Sequence, residues 1–260
     1  DLGSSIKIAT VTGEALSDNP IHVIASKVLN ILGIQPPDLT ITVQSDIPVA
    51  SGLGSGAAIS TVIARALASA LGTPLENSII NDLVYQVEKL HHGTPSGIDN
   101  TVIVYERPVY FVRGHDVDFL SVKGSFHFLI ADTGVSALTR IAVGDVKKLY
   151  QQQPDHYQSI LEAIGNLVAK ARTALETGDN LQLGSLMSQN HAYLQGLTVS
   201  SLELDRLVEA ARKAGALGAK LSGGGRGGNM IALVAKELLP NVRSGLIAAG
   251  AVRVFETVLE

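Results

Sequence analysis

The sequence predicts an α+β protein in two halves, and three features of the 260-residue chain predict it. Short segments that alternate apolar and polar residues lie near the start and again at the end. Long helical runs fill most of the stretch from residue 138 to 214, and the composition shifts near residue 125. Strand runs and helix runs that do not alternate regularly argue against a uniformly parallel sheet. With 46% hydrophobic and 17% charged residues the chain can bury a large core, and the expected domains are residues 1–125 and 126–260.

Ile6 to Val11 reads I-K-I-A-T-V, the period-two pattern of a half-buried strand. Asn19 then stands as N-cap before Pro20, opening a helix to about Leu32. Leu39 to Val43 alternates again as a strand. A Gly/Ser-rich loop, Val49–Gly56, leads into an Ala-rich helix from about Ala57 to Leu71, and a second helix, about Asn77 to His91, closes at Gly93. From Asn100 to Val112 the β-branched and aromatic residues flanking Glu106-Arg107-Pro108 predict a hairpin. Phe126–Ala131 reads as a buried strand ending at Asp132-Thr133-Gly134. Helices follow at about Leu138–Tyr150, Gln158–Glu176, Leu181–Leu194 and Leu202–Ala214. The last elements are a strand at Met230–Val234, a helix at Leu238–Ala249 and a strand at Val252–Val258.

Composition excludes several function classes. A net charge of −4 without a basic run, and 4% aromatics without Trp, argue against nucleic-acid binding. The absence of cysteine removes disulfides, thiolate metal sites and a Cys nucleophile. No apolar run reaches membrane-spanning length and no signal peptide is evident, so the expectation is a cytoplasmic protein without membrane contact. The seven histidines lack H-x-x-x-H spacing, against a zinc site, and no G-x-S-x-G elbow points to a serine hydrolase.

Three segments carry chemistry. Pro48-Val49-Ala50-Ser51-Gly52-Leu53-Gly54-Ser55-Gly56-Ala57 lies between a strand and a helix. Glycines admit an anion close to the backbone, and a helix start offers unpaired N–H groups and a positive dipole end, so the segment predicts a phosphate cradle. A flexible turn would have a similar composition. No Lys-Ser/Thr pair follows, which excludes a Walker loop. Gly52, Gly54 and Ala57 fit G-x-G-x-x-G/A, but the next segment is a second helix rather than the strand and acidic residue of a dinucleotide site.

The second segment places Glu88 near a helix C-terminus, where the dipole disfavours a carboxylate and a bound cation would relieve it. Asp99 follows Pro95-Ser96-Gly97 and is expected just before a strand. One carboxylate for a metal and one for a substrate hydroxyl suit phosphoryl transfer; a solvated helix residue and a turn aspartate is the competing reading. The third segment, Lys220-Leu221-Ser222 followed by five glycines in the six positions 223–228, costs chain entropy of up to roughly 1 kcal/mol per glycine. It reads as a second phosphate-facing loop with Arg226 as a charge partner, or as a flexible turn.

Together these segments resemble the GHMP family of kinases. Pro48 to Ala57 resembles its phosphate motif, and Lys220–Gly228 its third motif. Within the family, Glu88…His92-Gly93-Thr94-Pro95-Ser96-Gly97-Ile98-Asp99-Asn100-Thr101-Val102 is most similar to the mevalonate kinases. So are Asp132–Val135 with Thr139-Arg140, and Asn190-His191…Leu194…Leu197-Thr198-Val199-Ser200.

The resemblance implies an N-terminal α+β domain and a ferredoxin-like C-terminal domain with a cleft between them. It also implies ATP and Mg²⁺ as cofactors and mevalonate as the small-molecule acceptor. Gly52, Leu53, Gly54, Ser55, Gly56 and Ala57, with Gly224 and Gly225, would bind the ATP phosphates. Glu88 and Ser55 would hold Mg²⁺, Asp99 would be catalytic, and Thr139, His92, Ser96 and Gly97 would contact substrate. Other acceptors on this fold, a related decarboxylase, a non-catalytic nucleotide-binding relative and a homodimer stay open.

Three departures stand out. Gly56 replaces the family's second loop serine, and Arg226 a glycine of the third motif. The family's first motif, a Pro-Gly-Lys strand with a Gly-Glu-His stretch, belongs several dozen residues before Asp1. Gly13-Glu14 does not replace it, so the expectation is an N-terminally shortened chain without the lysine of that motif.

Overall fold

The computed structural model describes residues 4–7, 19–37, 40–45, 54–92, 95–136 and 139–260, with backbone alone at 4–7, 45, 91–92 and 139–140. Two compact units divide between Phe119 and Leu120.

In the first unit β1 (Ser4–Lys7) pairs antiparallel with β2 (Thr42–Ser45), in the register Ser4 to Ser45 and Lys7 to Thr42. Residues 8–11 of the expected first strand, and Leu39 of the second, lie outside the described residues. Helix α1 (Pro20–Leu32) starts where the sequence places it: the Asn19 side chain accepts from the Ile21 N–H. It ends at Gly33, whose φ of 66° is the left-handed conformation that glycine adopts freely. Ile24, Ala25 and Val28 are fully buried against α2 (Ser55–Ala70) and α3 (Asn77–His92). No strand separates α2 from α3, which removes the dinucleotide-fold reading.

Residues 100–112 differ from the expected hairpin. The chain forms helix α4 (Ile98–Tyr105), and only β3 (Val109–Tyr110) and β4 (Asp118–Phe119) pair beyond it. Burial overrides the β-propensity of Thr101-Val102-Ile103-Val104, because Val104 and the polar Asn100 and Thr101 are all buried. Thr101 Oγ1 donates back to the Gly97 carbonyl at 2.7 Å, and Asn100 Nδ2 donates to Asn81 Oδ1 of α3 at 2.7 Å. Arg65 of α2 closes the far end, donating to the Val104 carbonyl and Asn77 Oδ1 while ion-pairing with Glu106.

The second unit is built on an antiparallel sheet in the order β6-β7-β5-β8. Its strands are β5 (Phe126–Asp132), β6 (Gly218–Ser222), β7 (Asn229–Val234) and β8 (Arg253–Leu259). Helices α5 (Thr139–Gln152), α6 (Pro154–Thr177), α7 (Asn180–Gly196) and α8 (Leu202–Lys213) separate β5 from β6. A 3-10 turn (Lys236–Leu238) and α9 (Leu239–Ala248) separate β7 from β8. The order is that of a ferredoxin-like sheet with extra helices in its first crossover. Leu129, Ala131, Leu221 and Ala232 pack on α8 and α9, while Phe126, Phe128 and Leu233 pack with Ala174, Leu183 and Met187 of α6 and α7.

Strand β6 has no local signature, because its Gly-Ala-Lys-Leu-Ser contains no β-branched residue. Among the described residues no helix is long and apolar enough to cross a membrane.

Candidate active site

The start of α2 is the focus of the first unit. Its N-cap, Gly54, has φ 68° and supplies no side-chain cap. Ala58 N–H already bonds the Gly54 carbonyl, so by helix geometry the N–H groups of Ser55, Gly56 and Ala57 are those without an intrahelical acceptor. Gly54 and Gly56 are also the points of closest approach. A Cβ on Gly54 would stand 2.8 Å from Ile103 Cδ1 and 3.8 Å from the Asp99 carboxyl carbon. A Cβ on Gly56 would stand 3.0 Å from Glu88 Oε1. Both acidic candidates therefore lie against one helix start whose N-cap glycine brings no side chain, each beside a glycine of the same turn.

Glu88 comes from the last turns of α3 and is 9% exposed. Taking a carboxylate out of water is costly unless charge or dipole compensates it, and the positive end of α2 supplies part of that compensation. The glycine at position 56 makes room for this approach. A serine there would bring its Cβ to 3.0 Å from Oε1, and the glutamate tip would have to shift by a few tenths of an ångström.

Asp99 lies in the first turn of α4 instead of before a strand. This corrects the expected context and improves the electrostatics, since a carboxylate is favoured at a helix N-terminus. Gly97 is the N-cap, at φ 95°. A Cβ there would meet Phe111 at 3.3 Å and Tyr85 at 3.6 Å, so the turn sits beneath two rings. Ser96 is exposed, and its Oγ accepts from Ile98 N–H at 3.3 Å. The Asn100–Asn81 bond fixes α4 on α3 and was not anticipated; its only trace in the sequence is a polar residue inside an apolar run.

Gly52 and Leu53 lie outside the described residues, and so do the side chains of His92, the last residue of α3, and Thr139, the first of α5.

In the second unit the glycine run is held from both sides. Gly223, Gly225, Gly227 and Gly228 all have positive φ, and so does Arg226 at 59°. That conformation costs a non-glycine residue about 1–2 kcal/mol. Compensation comes from three bonds: Arg226 N–H to the Val199 carbonyl at 2.8 Å, Nε to the Thr198 carbonyl at 3.3 Å, and Nη1 to Asp145 Oδ2 at 2.6 Å. The Arg226 guanidinium, then Lys148, holds the Asp145 carboxyl below its usual range. Arg226 was expected as a phosphate partner; the structure instead gives its guanidinium to α5 and the α7–α8 connection. Burial pushes the Lys220 ammonium down to about 8, and its Nζ donates to the Leu221 carbonyl at 2.8 Å.

Comparison with known proteins identifies the family and the fold. The family model of the GHMP kinases N terminal domain matches residues 19–107, and that of the GHMP kinases C terminal matches residues 171–251. A mevalonate kinase of Thermococcus onnurineus is 38% identical over 219 residues, covering 82% of this chain and 64% of that protein. One of Pyrococcus horikoshii is 39% identical over 202 residues, covering 75% of this chain and 59% of that protein. The chain thus spans about six tenths of the length of these curated relatives. The crystal structure of L. major mevalonate kinase in complex with R-mevalonate superposes with a TM-score of 0.82 at 31% identity, over 93% of this chain and 76% of that one. Two matched domain models, a shared fold and sequence identity above three in ten lead to one conclusion: the chain belongs to the GHMP kinase family.

Proposed function

We propose that the protein carrying this chain phosphorylates the 5-hydroxyl of mevalonate with ATP and Mg²⁺. The observation that carries this reading is the placement of Glu88 and Asp99 against the uncapped start of α2. The N–H groups of Ser55, Gly56 and Ala57, which have no intrahelical acceptor, are assigned to the ATP phosphates, and the family resemblance adds Gly52, Leu53, Gly54, Gly224 and Gly225 as phosphate-binding residues. Asp99 orients the acceptor hydroxyl and takes its proton, while His92, Ser96, Gly97 and Thr139 contact the substrate.

Among the described residues there is no cluster of three or more acidic or histidine side chains that could hold a metal. That suits Mg²⁺, which nucleotide enzymes bind through one or two protein ligands, with phosphate oxygens and water completing the octahedron. Glu88 and the Ser55 hydroxyl fit that donor set. Bound there, the ion would neutralise charge on the phosphates. That the named relatives are mevalonate kinases supports the choice of acceptor.

The test is ADP release by the intact protein with mevalonate, phosphomevalonate, homoserine or galactose as acceptor. Release that depends on mevalonate is expected; release with another acceptor alone reassigns the substrate, and ATP binding without acceptor-dependent release removes the kinase reading. In the same assay Glu88→Gln should raise the Mg²⁺ concentration for half-maximal rate by about ten- to a hundredfold, the scale of losing one partner of a metal site. Affinity for metal-free ATP should stay unchanged. An unaltered Mg²⁺ dependence would take Glu88 out of the metal site.

A further inference from the structure

The proposed chemistry assigns the Asn190–Ser200 segment no role. In the structure it forms the seat of the glycine run. The Val199 carbonyl accepts from Arg226 N–H, and a Cβ on Gly225 would lie 1.9 Å from that same oxygen. Opposite, Gly228 N–H donates to the Val135 carbonyl at 2.7 Å, and the Thr133 N–H and hydroxyl both donate to the Gly228 carbonyl.

The front of the run is held by a side-chain relay. Leu221 N–H, two residues before the first glycine, donates to Nδ1 of His191 at 3.3 Å. Because a backbone N–H can only donate, Nδ1 carries the lone pair and the ring proton sits on Nε2, facing Asp205 Oδ1 at 3.1 Å. The Ser200 hydroxyl donates to that same carboxylate oxygen at 2.5 Å. His191 is 6% exposed and Leu221 is buried, so the imidazole and the Leu221 N–H would be costly to leave unmatched, while the Asp205 side chain is partly open to water.

We propose that His191 is a positioning residue for the nucleotide-binding glycine run, acting through Leu221 and itself held in one tautomer by Asp205 and Ser200. The proposal rests on the reading of residues 223–228 as a phosphate loop. Positioning requires the neutral ring, since a proton on Nδ1 would point at the Leu221 N–H. The charged groups facing the imidazole are Asp205 and Arg212 of α8 and Lys220 of β6. Burial foremost, with the two cations and against the pull of Asp205, lowers the His191 pKa from its ordinary 6.5, so the ring stays neutral at physiological pH.

The experiment measures ATP affinity of the intact protein by calorimetry, KM for each substrate, and hydrogen exchange of the peptide spanning 221–229. His191→Phe and Asp205→Ala should each weaken ATP binding and raise KM for ATP about tenfold, leave KM for the acceptor unchanged, and speed exchange of the peptide. Asp205→Asn keeps an oxygen acceptor for both donors and should restore affinity to within about threefold of wild type. As pH falls below 6.5 the wild type should lose affinity faster than His191→Phe.

Unchanged affinity and exchange in both His191→Phe and Asp205→Ala, beside normal wild-type binding, overturns the proposal alone. So does equal loss in Asp205→Asn and Asp205→Ala. Absence of ATP binding by the wild type overturns the nucleotide reading and this proposal with it. If His191→Phe does not fold, the Asp205 pair decides the matter.

Discussion

An Asp99→Asn protein should lose about 10²–10⁴-fold of the proposed mevalonate-dependent turnover, the usual cost of removing a positioned base. The substitution keeps size and polarity while removing the charge and turning one acceptor oxygen into a donor, and the backbone around it is well supported. Thr101 and Asn100 lock the first turn of α4, and Gly54 packs directly against the Asp99 side chain. Asparagine therefore has room to adopt the same rotamer, and the loss isolates the charge. Removing a carboxylate from a helix N-terminus costs only about 0.3–1 kcal/mol of stability, so the melting temperature should move little. ATP affinity should stay within about threefold of wild type, because Asp99 is assigned to the acceptor and not to the phosphates. Turnover near the wild-type value would remove Asp99 from catalysis.

A Gly218→Ala protein should lose at least about 3 kcal/mol of stability, at the upper end for overpacked sites. Helix α7 crosses strand β6 with the two backbones in contact: a Cβ on Gly218 would lie 1.8 Å from the Gly184 carbonyl oxygen, and one on Gly184 would lie 2.5 Å from the Leu217 carbonyl oxygen. No side chain can rotate away from these contacts, so the whole helix must lift off the sheet and open the packing of Leu183 and Met187 on Phe126 and Leu233. Gly165 of α6 is the matched control. Nothing lies within 4 Å of its added Cβ, and Gly165→Ala should stabilise by about 0.5–1 kcal/mol. Urea unfolding of the two variants measures both. Equal midpoints for Gly218→Ala and wild type would mean that the helix and strand part without cost.

Helix boundaries were legible wherever local chemistry sets them. Asn19-Pro20 and Gly33 bracket α1 by capping alone, and the glycine-to-alanine change at position 57 marks the start of α2 to within two residues. The α4 segment misled because four residues with high β-propensity were held helical by tertiary contacts that no local pattern announces. The acidic pair stood out as residue types, since a glutamate near a helix C-terminus opposes the dipole and an aspartate follows Pro-Ser-Gly. Their meeting at Gly54 and Gly56 was not, because it depends on how three helices cross. The same holds for Arg226, whose partner Asp145 is 81 residues away, and for His191, whose relay joins three elements.

The order of the sheet in the second unit has a consequence for synthesis on the ribosome. Strand β5 emerges first, and five of the seven residues of its Phe-His-Phe-Leu-Ile-Ala-Asp are apolar, yet its partners β7 and β8 follow roughly a hundred residues later. At translation speeds of about 5–20 residues per second, β5 waits about 5–20 seconds with both edges open. Four helices, α5 to α8, emerge during that interval and can form from local contacts alone. Long-range strand pairing is slow because loop closure precedes its reward, so nascent chains are most open to misassociation between the exit of β5 and that of β8.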